Sequence, residues 1–344
     1  MLSKARIQFA VLAIATTPQL ACAQKPAATP GEGVITEALI RRHVNVIADD
    51  SMLGRNTPSR GLEMTASYVA SQFERLGLKP GGDSGTFTQR YPLPGSAGGG
   101  RGTQPASLGF DPTSAPNSVG IVLGTDPTLR NEYIVVSAHM DHVGVNGANV
   151  KDSIWNGADD DASGTAGVLA LAEAFAQAPP KRSMIFLTVS GEEHGLWGSD
   201  WFSKHPPVPI DNIVANLNLD MIGRNWKDSI VVIGIEHSDL GATVKKVAAA
   251  HPELGITTMP DPWPQENFFG RSDHYNFARR GVPALFFFNG THEDYHQPSD
   301  SPDKIDAEKE SRIVRLIYHV GLAVANAPAR PKWDPESRKK IVRP

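Results

Sequence analysis

The chain has 344 residues, of which 40% are hydrophobic and 20% charged, and its formal net charge at pH 7 is −4. This is the composition of an ordinary globular protein, and the absence of a basic excess excludes an electrostatic basis for nucleic-acid binding. The length alone allows one large α/β domain or two smaller ones.

Residues 1–23 contain the three parts of a secretory signal peptide in the expected order. Lys4 and Arg6 precede an apolar stretch over Ile7–Thr16, and Ala21-Cys22-Ala23 follows as a cleavage site. The apolar stretch is too short to span a bilayer as a helix. The pattern predicts cleavage near Ala23 and a periplasmic or secreted mature chain without a transmembrane segment.

Cys22 is the only cysteine of the chain and lies within this signal. Lipoprotein processing at Cys22 is an alternative, although Gln19 stands where such signals usually carry leucine. Cleavage after Ala23 leaves a mature chain without disulfides. Its stability must then come from the size of its hydrophobic core.

Two helices are predicted after a flexible leader over residues 24–33. Val34–Ile47 and Leu62–Leu76 show apolar residues at helical spacing, and the second pattern stops at Gly77. The Gly95–Gly102 stretch is typical of a low-complexity surface loop.

From Asn117 onward, apolar strand patterns alternate with helical patterns. The predicted strands are Ser118–Leu123, Ile134–Ala138, Met184–Val189, Ile213–Leu219, Ile230–Ile235 and Ala284–Phe288. The predicted helices are Ser163–Ala178, Leu196–Lys204, Leu240–His251, Ser272–Arg280 and Ala307–Ala327. Apolar strands interleaved with helices predict a single α/β domain over residues 34–330, with a mixed, mainly parallel β-sheet flanked by helices and a C-terminal tail over 331–344.

Side chains that bind metal ions follow the ends of several predicted strands. His139, Glu193, Asp220 and His296 come after apolar runs, and Asp160 opens the helix that follows the second predicted strand. Ligands of open α/β sheets bind outside the carboxyl ends of the strands, so we expect these five positions to converge on one crevice. Two histidines and three carboxylates suit a pair of zinc ions bridged by one carboxylate.

The Asp159-Asp160-Asp161 triplet is the strongest single signal for a cation. Adjacent carboxylates repel one another, and the dipole of the following helix stabilises one or two of them but not three. Glu192 and Glu193 follow a strand directly, so one of them is free to bind metal while the other faces substrate as a general base.

His139 and Asp141 lie two residues apart in an extended segment, so their side chains point to the same side. Asp141 is expected to accept the second ring N–H of His139. That hydrogen bond would fix the tautomer that binds metal.

The order and spacing of these motifs resemble those of the co-catalytic di-zinc aminopeptidases, a family that also contains glutamate carboxypeptidases and glutaminyl cyclases. The resemblance extends from about Val34 to the C-terminal helix. The motifs that carry it are Asn117-Ser118-Val119, His139-x-Asp141, Gly157-Ala158-Asp159-Asp160-Asp161-Ala162-Ser163-Gly164, Gly191-Glu192-Glu193, Asp220-Met221-Ile222-Gly223, Arg271-Ser272-Asp273-His274 and Tyr295-His296.

The resemblance implies two Zn²⁺ per chain with Asp160 as the bridging ligand. His139 and Asp220 then complete one site, and Glu193 and His296 complete the other. The peptide bond that follows Asp160 is often cis in such enzymes.

The resemblance also assigns catalytic roles. Glu192 is the expected general base, Asp141 the partner of His139, and Tyr295 the group that stabilises the oxyanion. The implied activity is hydrolysis of N-terminal residues from peptide substrates. His142 and His194 depart from the family pattern, and each is a candidate for tuning the site or adding a metal contact.

Alternative functions on the same scaffold stay open at this point. A glutaminyl cyclase would use one zinc ion, and a glutamate carboxypeptidase or dipeptidase would need an arginine-rich specificity pocket, for which Arg224, Arg271 and Arg279 are candidates. A non-catalytic binding protein would have lost metal ligands, and here all five are present. Side-chain preference and oligomeric state are not indicated by the sequence.

Overall fold

The computed structural model of the protein describes residues 29–95, 109–145 and 152–343. The predicted signal peptide, Cys22 and most of the Gly95–Gly102 loop lie outside these ranges. Within them, no helix has both the length and the apolar character needed to cross a bilayer.

The described ranges contain eight α-helices and eleven β-strands. The helices are α1 (Glu37–Ile47), α2 (Arg60–Arg75), α3 (Gly164–Gln177), α4 (Trp197–Lys204), α5 (Leu240–Ala250), α6 (His274–Arg279), α7 (Ala307–Asn326) and α8 (Pro335–Ile341). The strands are β1 (Lys79–Pro80), β2 (Thr88–Pro92), β3 (Ser114–Val122), β4 (Tyr133–His139), β5 (Gly144–Val145), β6 (Ile154–Trp155), β7 (Ser183–Val189), β8 (Ile213–Leu219), β9 (Ser229–Ile233), β10 (Thr257–Met259) and β11 (Ala284–Phe288).

Nine of the described strands form one mixed sheet in the order β1-β3-β7-β4-β8-β11-β9-β10, with β2 paired to β3. The four central strands β7, β4, β8 and β11 are parallel to one another, and antiparallel pairs lie on both sides of them. This confirms the predicted single α/β domain, a mixed and mainly parallel sheet flanked by helices. Strands β5 and β6 form a separate two-stranded ribbon.

The central strands are buried on both faces, which explains why they are apolar throughout rather than alternating. Ile134 and Val136 of β4 pack on the side covered by α1, α3, α5 and α7. Val135 points to the opposite face, where it packs with Phe202 of α4 and Phe277 of α6. Each large apolar side chain buried in this way contributes roughly 1.5–3 kcal/mol to the folded state.

The register of the parallel strands brings their carboxyl ends to one rim of the sheet. His139, the last residue of β4, pairs with Val189, the last residue of β7. Leu219, the last residue of β8, pairs with Phe287 of β11, and β8 also pairs in parallel with β4. The loops that follow these four strands therefore begin at the same edge.

Candidate metal centre

Potential metal ligands collect in two adjacent groups at this rim. One group consists of His142, Asp160, Glu193 and His296, and the other of His139, Glu192 and Asp220, with the ligand atoms of each group within 4.8 Å of one another. All five residues predicted to bind metal belong to these groups, together with the predicted base Glu192 and with His142.

The carboxylate of Asp160 lies between the two groups. Its Oδ1 is 3.2 Å from His139 Nε2, and its Oδ2 is 3.0 Å from His296 Nε2. Asp160 thus presents one oxygen to each side, which is the arrangement that a bridging carboxylate requires.

The spacing of these atoms fits a cation better than it fits hydrogen bonding. Asp160 Oδ2 and His296 Nε2 are buried and close together, yet neither has a hydrogen-bond partner of acceptable geometry in the described part of the chain. Imidazole nitrogens and carboxylate oxygens are ligands that zinc takes in proteins. The residues present therefore fit zinc ions.

Electrostatics at the rim favour positive charge next to the carboxylates. Burial lowers the pKa of His139, but the carboxylates of Glu192 and Asp220 outweigh burial and hold the pKa well above its ordinary value. Burial works against the charged form of Asp160 too, but the imidazoles of His139 and His296 keep its pKa well below the usual range. For the same reason Asp160 and Glu193 raise the pKa of His296 to about 10 in spite of burial.

The other two members of the aspartate triplet hold the backbone around the site. Asp161, joined to Asp160 by a cis peptide bond, accepts hydrogen bonds from the N–H groups of His139, Gly164 and Met221. It therefore connects the end of β4, the start of α3 and the loop after β8. A side chain at Gly164 would lie 2.4 Å from Asp161 Oδ1, so this approach requires glycine.

Asp159 and Asp300 fix the outer side of the same turn. Asp159 accepts the N–H of Gly223 at 2.6 Å and lies 3.2 Å from His292 Nε2. Asp300 accepts the N–H groups of Asp159 and Asp160. The carboxylates of Asp159 and Asp161 thus accept hydrogen bonds from backbone N–H groups. The middle carboxylate, Asp160, is the one available to the cation that the triplet predicts.

Asp141 lies next to His139, but its carboxylate has other partners. Asp141 Oδ1 is 3.7 Å from His139 Nδ1, whereas the Asp141 carbonyl oxygen is 3.2 Å from the same nitrogen. The carboxylate accepts hydrogen bonds from the Gly191 N–H at 2.7 Å and from the Thr57 hydroxyl at 2.8 Å. In this arrangement a backbone carbonyl orients His139, and the Asp141 side chain positions the loop that carries Glu192.

Asp220 is oriented by a serine from the Arg271-Ser272-Asp273-His274 motif. The Ser272 hydroxyl donates to Asp220 Oδ2 at 2.8 Å and accepts from Asn218 Nδ2 at 2.9 Å. The second oxygen of Asp220, Oδ1, faces His139 Nε2 at 3.6 Å. The motif is therefore part of the support of the centre.

Asp294 fixes the loop that carries Tyr295 and His296. It accepts hydrogen bonds from Lys304, Ser299 and Arg224 at 2.6, 2.6 and 2.9 Å. These donors, Lys304 first among them, hold the pKa of Asp294 far below its usual range.

A cleft opens onto the centre and combines acidic with apolar groups. Its lining includes the metal-site residues His139, Asp160, Glu192 and Asp220, the apolar residues Met221, Phe268, Phe286 and Phe288, and also Arg271, Thr291 and Tyr295. Of the three arginines considered for a carboxylate pocket, Arg271 lines the cleft, with its guanidinium 4.7 Å from the Phe268 ring. Arg224 pairs with Asp294, and Arg279 lies over the ring of Tyr275.

Residues 117–321 match the sequence profile described as Peptidase family M28. This chain belongs to peptidase family M28. The family resemblance seen in the sequence is confirmed, and with it the assignment of the protein as a metallo-exopeptidase that acts on peptide substrates.

Individual relatives of this M28 peptidase agree with that assignment. It is 24% identical to a probable zinc metalloprotease of Pyrenophora tritici-repentis, over 89% of this chain and 71% of that protein. It is 25% identical to aminopeptidase YwaD of Bacillus subtilis, over 58% of this chain and 43% of that protein. A solved zinc aminopeptidase from Bacillus subtilis shares the fold, with a TM-score of 0.65 over 86% of this chain and 97% of that chain at 16% identity.

No pattern in the sequence predicted the role of Arg55, which supports the candidate site. Its fully buried guanidinium donates hydrogen bonds to the carbonyls of Ile47, Met140, Asn156 and Gly157. Burial lowers the pKa of Arg55 to about 10, so the side chain is still charged at neutral pH. Arg55 lies in an irregular segment between α1 and α2, where no periodic pattern marks a buried residue.

Proposed function

We propose that this M28 peptidase is an exported aminopeptidase that removes N-terminal residues from peptides, with Glu192 as general base and with side chains that would hold two zinc ions. The observation that carries the proposal is the position of the Asp160 carboxylate between two separate groups of ligands. His139 and Asp220 would complete one zinc site, and Glu193 and His296 the other. Zinc ions bound there would polarise the scissile carbonyl and lower the pKa of the attacking water.

Glu192 would carry a proton during the reaction, and its position and environment support this role. It lines the cleft beside His139 and Asp220. Desolvation raises the pKa of Glu192 well above the usual value for a glutamate, and the neighbouring Asp273 and Asp220 add to this effect against the opposing influence of His139. Such a carboxylate takes the proton from water and holds it until the leaving amine accepts it.

Tyr295 would donate a hydrogen bond to the oxygen that becomes negative. It lines the cleft, and its ring stacks on His296 at 4.0 Å between centroids. Burial, followed by the charges of Asp160 and Glu193, raises the pKa of Tyr295, so its hydroxyl keeps its proton at neutral pH. Donors aimed at a developing oxyanion commonly contribute a few kcal/mol, about 3–4 in mutational studies.

The charges in the cleft favour an amino end over a carboxyl end of the substrate. Glu192 lines the cleft without being a proposed zinc ligand, and its carboxylate would attract the ammonium group of a free N-terminus and repel a terminal carboxylate. The charges of Asp160 and Asp220 would be offset by the zinc ions that they bind. Arg271 is nearly half exposed and has Glu266 3.6 Å from its guanidinium. One partly neutralised arginine supports an aminopeptidase better than a carboxypeptidase.

The proposal that the protein is exported is based on the sequence of residues 1–23, where a charged segment, an apolar segment and a cleavage site follow one another. The proposed catalytic domain covers residues 34–330. The mature protein should begin near Gln24, which the intact mass of the protein recovered from its native host measures directly.

The Glu192→Gln variant tests the proposed base. We expect it to bind as much zinc as the wild type and to lose about 10²–10⁴-fold in kcat, because the amide cannot accept a proton. The matched control is Glu236→Gln, which alters an exposed glutamate outside the cleft and should leave both quantities unchanged. A Glu192→Gln enzyme with wild-type activity would show that another group is the base.

The direction of cleavage is tested with a mixture of free and N-blocked peptides read by mass spectrometry. Products shortened one residue at a time from free amino ends are expected. Internal cleavage, or shortening from carboxyl ends only, would contradict the aminopeptidase assignment, and cyclised N-terminal glutamine without hydrolysis would point to the cyclase alternative.

A further inference from the structure

His142 is a buried histidine at the metal centre that the five-ligand pattern leaves without a role. It is fully buried, and its Nδ1 is 2.8 Å from Glu193 Oε1 and 3.7 Å from Asp160 Oδ2. Its ring lies edge-on to that of His296, with centroids 5.5 Å apart. Both imidazoles thus direct a nitrogen toward the same two carboxylates.

The polypeptide holds His142 firmly in this position. Gly157 has a φ of +53°, and a side chain there would lie 2.5 Å from His142 Cγ, so the glycine backbone packs directly against the ring. The carbonyl of Gly157 is in turn bound by Arg55. His142 therefore sits on a fixed support.

We propose that His142 is a sixth metal ligand and gives one of the two zinc sites a closed shell of four protein ligands. These ligands are His142 Nδ1, Asp160, Glu193 and His296, whose ligand atoms lie within 4.8 Å of one another. Donors at tetrahedral zinc distances are separated by roughly 3.4 Å. The two distances from His142 Nδ1, 2.8 and 3.7 Å, lie on either side of that value. The inference rests on the proposed two-zinc function.

The consequence is a functional asymmetry between the two zinc sites. Sites with four protein ligands are typical of structural zinc, whereas catalytic sites keep a position open. The second site has three protein ligands, His139, Asp160 and Asp220, and it is the one grouped with the base Glu192. The closed site should therefore bind zinc tightly and hold Asp160 in place, and the open site should receive water and substrate.

The competing arrangement makes His142 a hydrogen-bond donor to Glu193, with a proton on Nδ1. Ligation through Nδ1 instead requires the proton on Nε2, an atom that has no hydrogen-bond partner among the described residues. The two arrangements thus differ in the tautomer of one ring, which long-range ¹H–¹⁵N correlation spectra of the zinc-loaded enzyme distinguish. We expect His142 to show the Nε2–H tautomer after the first equivalent of zinc. An Nδ1–H tautomer at saturating zinc would overturn the proposal.

Zinc affinity provides a second, independent measurement. In competition with a chelator, the wild type should bind one zinc ion tightly and one more weakly. His142→Ala should reduce the affinity of the tight site by more than about 100-fold. A smaller loss, of about 10–100-fold, is what removal of a residue that only hydrogen-bonds to a metal ligand would cause. His194→Ala is the matched control, since His194 follows Glu193 in the chain but is exposed and lies 2.9 Å from Asn56 Oδ1. It should leave both affinities unchanged.

The outcomes separate this proposal from the proposed function. If two zinc ions bind to His142→Ala with wild-type affinities, the assignment of His142 as a sixth ligand is wrong, and the proposed two-zinc aminopeptidase function is unaffected. If the wild-type protein itself does not bind two zinc ions, both proposals fail.

Discussion

Replacing Arg55 tests whether one buried guanidinium holds the loops of the metal centre in place. The side chain spans four carbonyls, those of Ile47, Met140, Asn156 and Gly157, and uses three nitrogens to do so. Methionine fills a similar volume but donates no hydrogen bond. The Arg55→Met variant therefore leaves four buried acceptors without their donor.

The expected loss of stability follows from these contacts. A hydrogen bond from a charged donor contributes about 1.5–3 kcal/mol, and the cost of burying the guanidinium opposes the total. A buried acceptor left without its donor costs about 1–3 kcal/mol, and relief of the burial cost of the guanidinium offsets part of the sum over the four carbonyls, so we expect a net loss of about 3–5 kcal/mol for Arg55→Met. Arg55→Lys keeps the charge, but its single nitrogen cannot reach all four carbonyls, so we expect roughly half the loss.

Urea unfolding of the zinc-free variants, followed by circular dichroism, measures these free energies. Arg41→Met is the control, because Arg41 forms an exposed ion pair with Glu37 one turn away, and such pairs contribute about 0.3–0.5 kcal/mol. Arg55→Met should also weaken zinc binding. A loss of less than about 1 kcal/mol for Arg55→Met would refute the reasoning, since that is the scale of an ordinary substitution.

Two further predictions concern protons. The carboxylates around His296 raise its pKa to about 10, so zinc binding near pH 7 should release protons. Calorimetry in buffers of different ionisation enthalpy should therefore show heats of zinc binding that depend on the buffer. Identical heats in all buffers would contradict this prediction. His43 is buried, bonded to the Tyr68 hydroxyl at 2.7 Å, and has its pKa lowered to about 4 by burial. Between this pKa and the ordinary histidine pKa, the His43 ring is protonated in the unfolded chain but neutral in the native state. The free energy of unfolding should therefore fall by about 2 kcal/mol through His43 as the pH is lowered from 7 to 5. His43→Gln should reduce that slope, and an unchanged slope would show that His43 is not its source.

The central strands were predicted well because burial on both faces imposes one pattern on them. Ile213–Leu219 and Ala284–Phe288 have the predicted ends. Strands β2 and β10 were missed, because short strands outside the parallel centre lack an apolar run. Thr88–Pro92 contains three polar residues and a proline, and Thr257–Met259 is only partly buried.

The convergence of the candidate site residues was predictable because these residues follow strands whose carboxyl ends meet. The turn geometry beyond each strand was not predictable in the same way. Asp141 illustrates this, since its spacing from His139 predicted a hydrogen bond to the ring N–H, whereas Asp141 Oδ1 lies 3.7 Å from His139 Nδ1 and the carboxylate accepts hydrogen bonds from Gly191 and Thr57. Likewise, whether His142 points toward Glu193 depends on a turn fixed by distant groups such as Arg55.

Two zinc ions side by side at the rim of the sheet are the basis of the proposed mechanism. Anomalous diffraction at the zinc absorption edge, from crystals of the zinc-loaded protein, measures them directly. Two peaks on either side of the Asp160 carboxylate are expected, one beside His139 and Asp220 and the other beside Glu193 and His296. A single peak, or peaks remote from Asp160, would contradict the two-zinc mechanism.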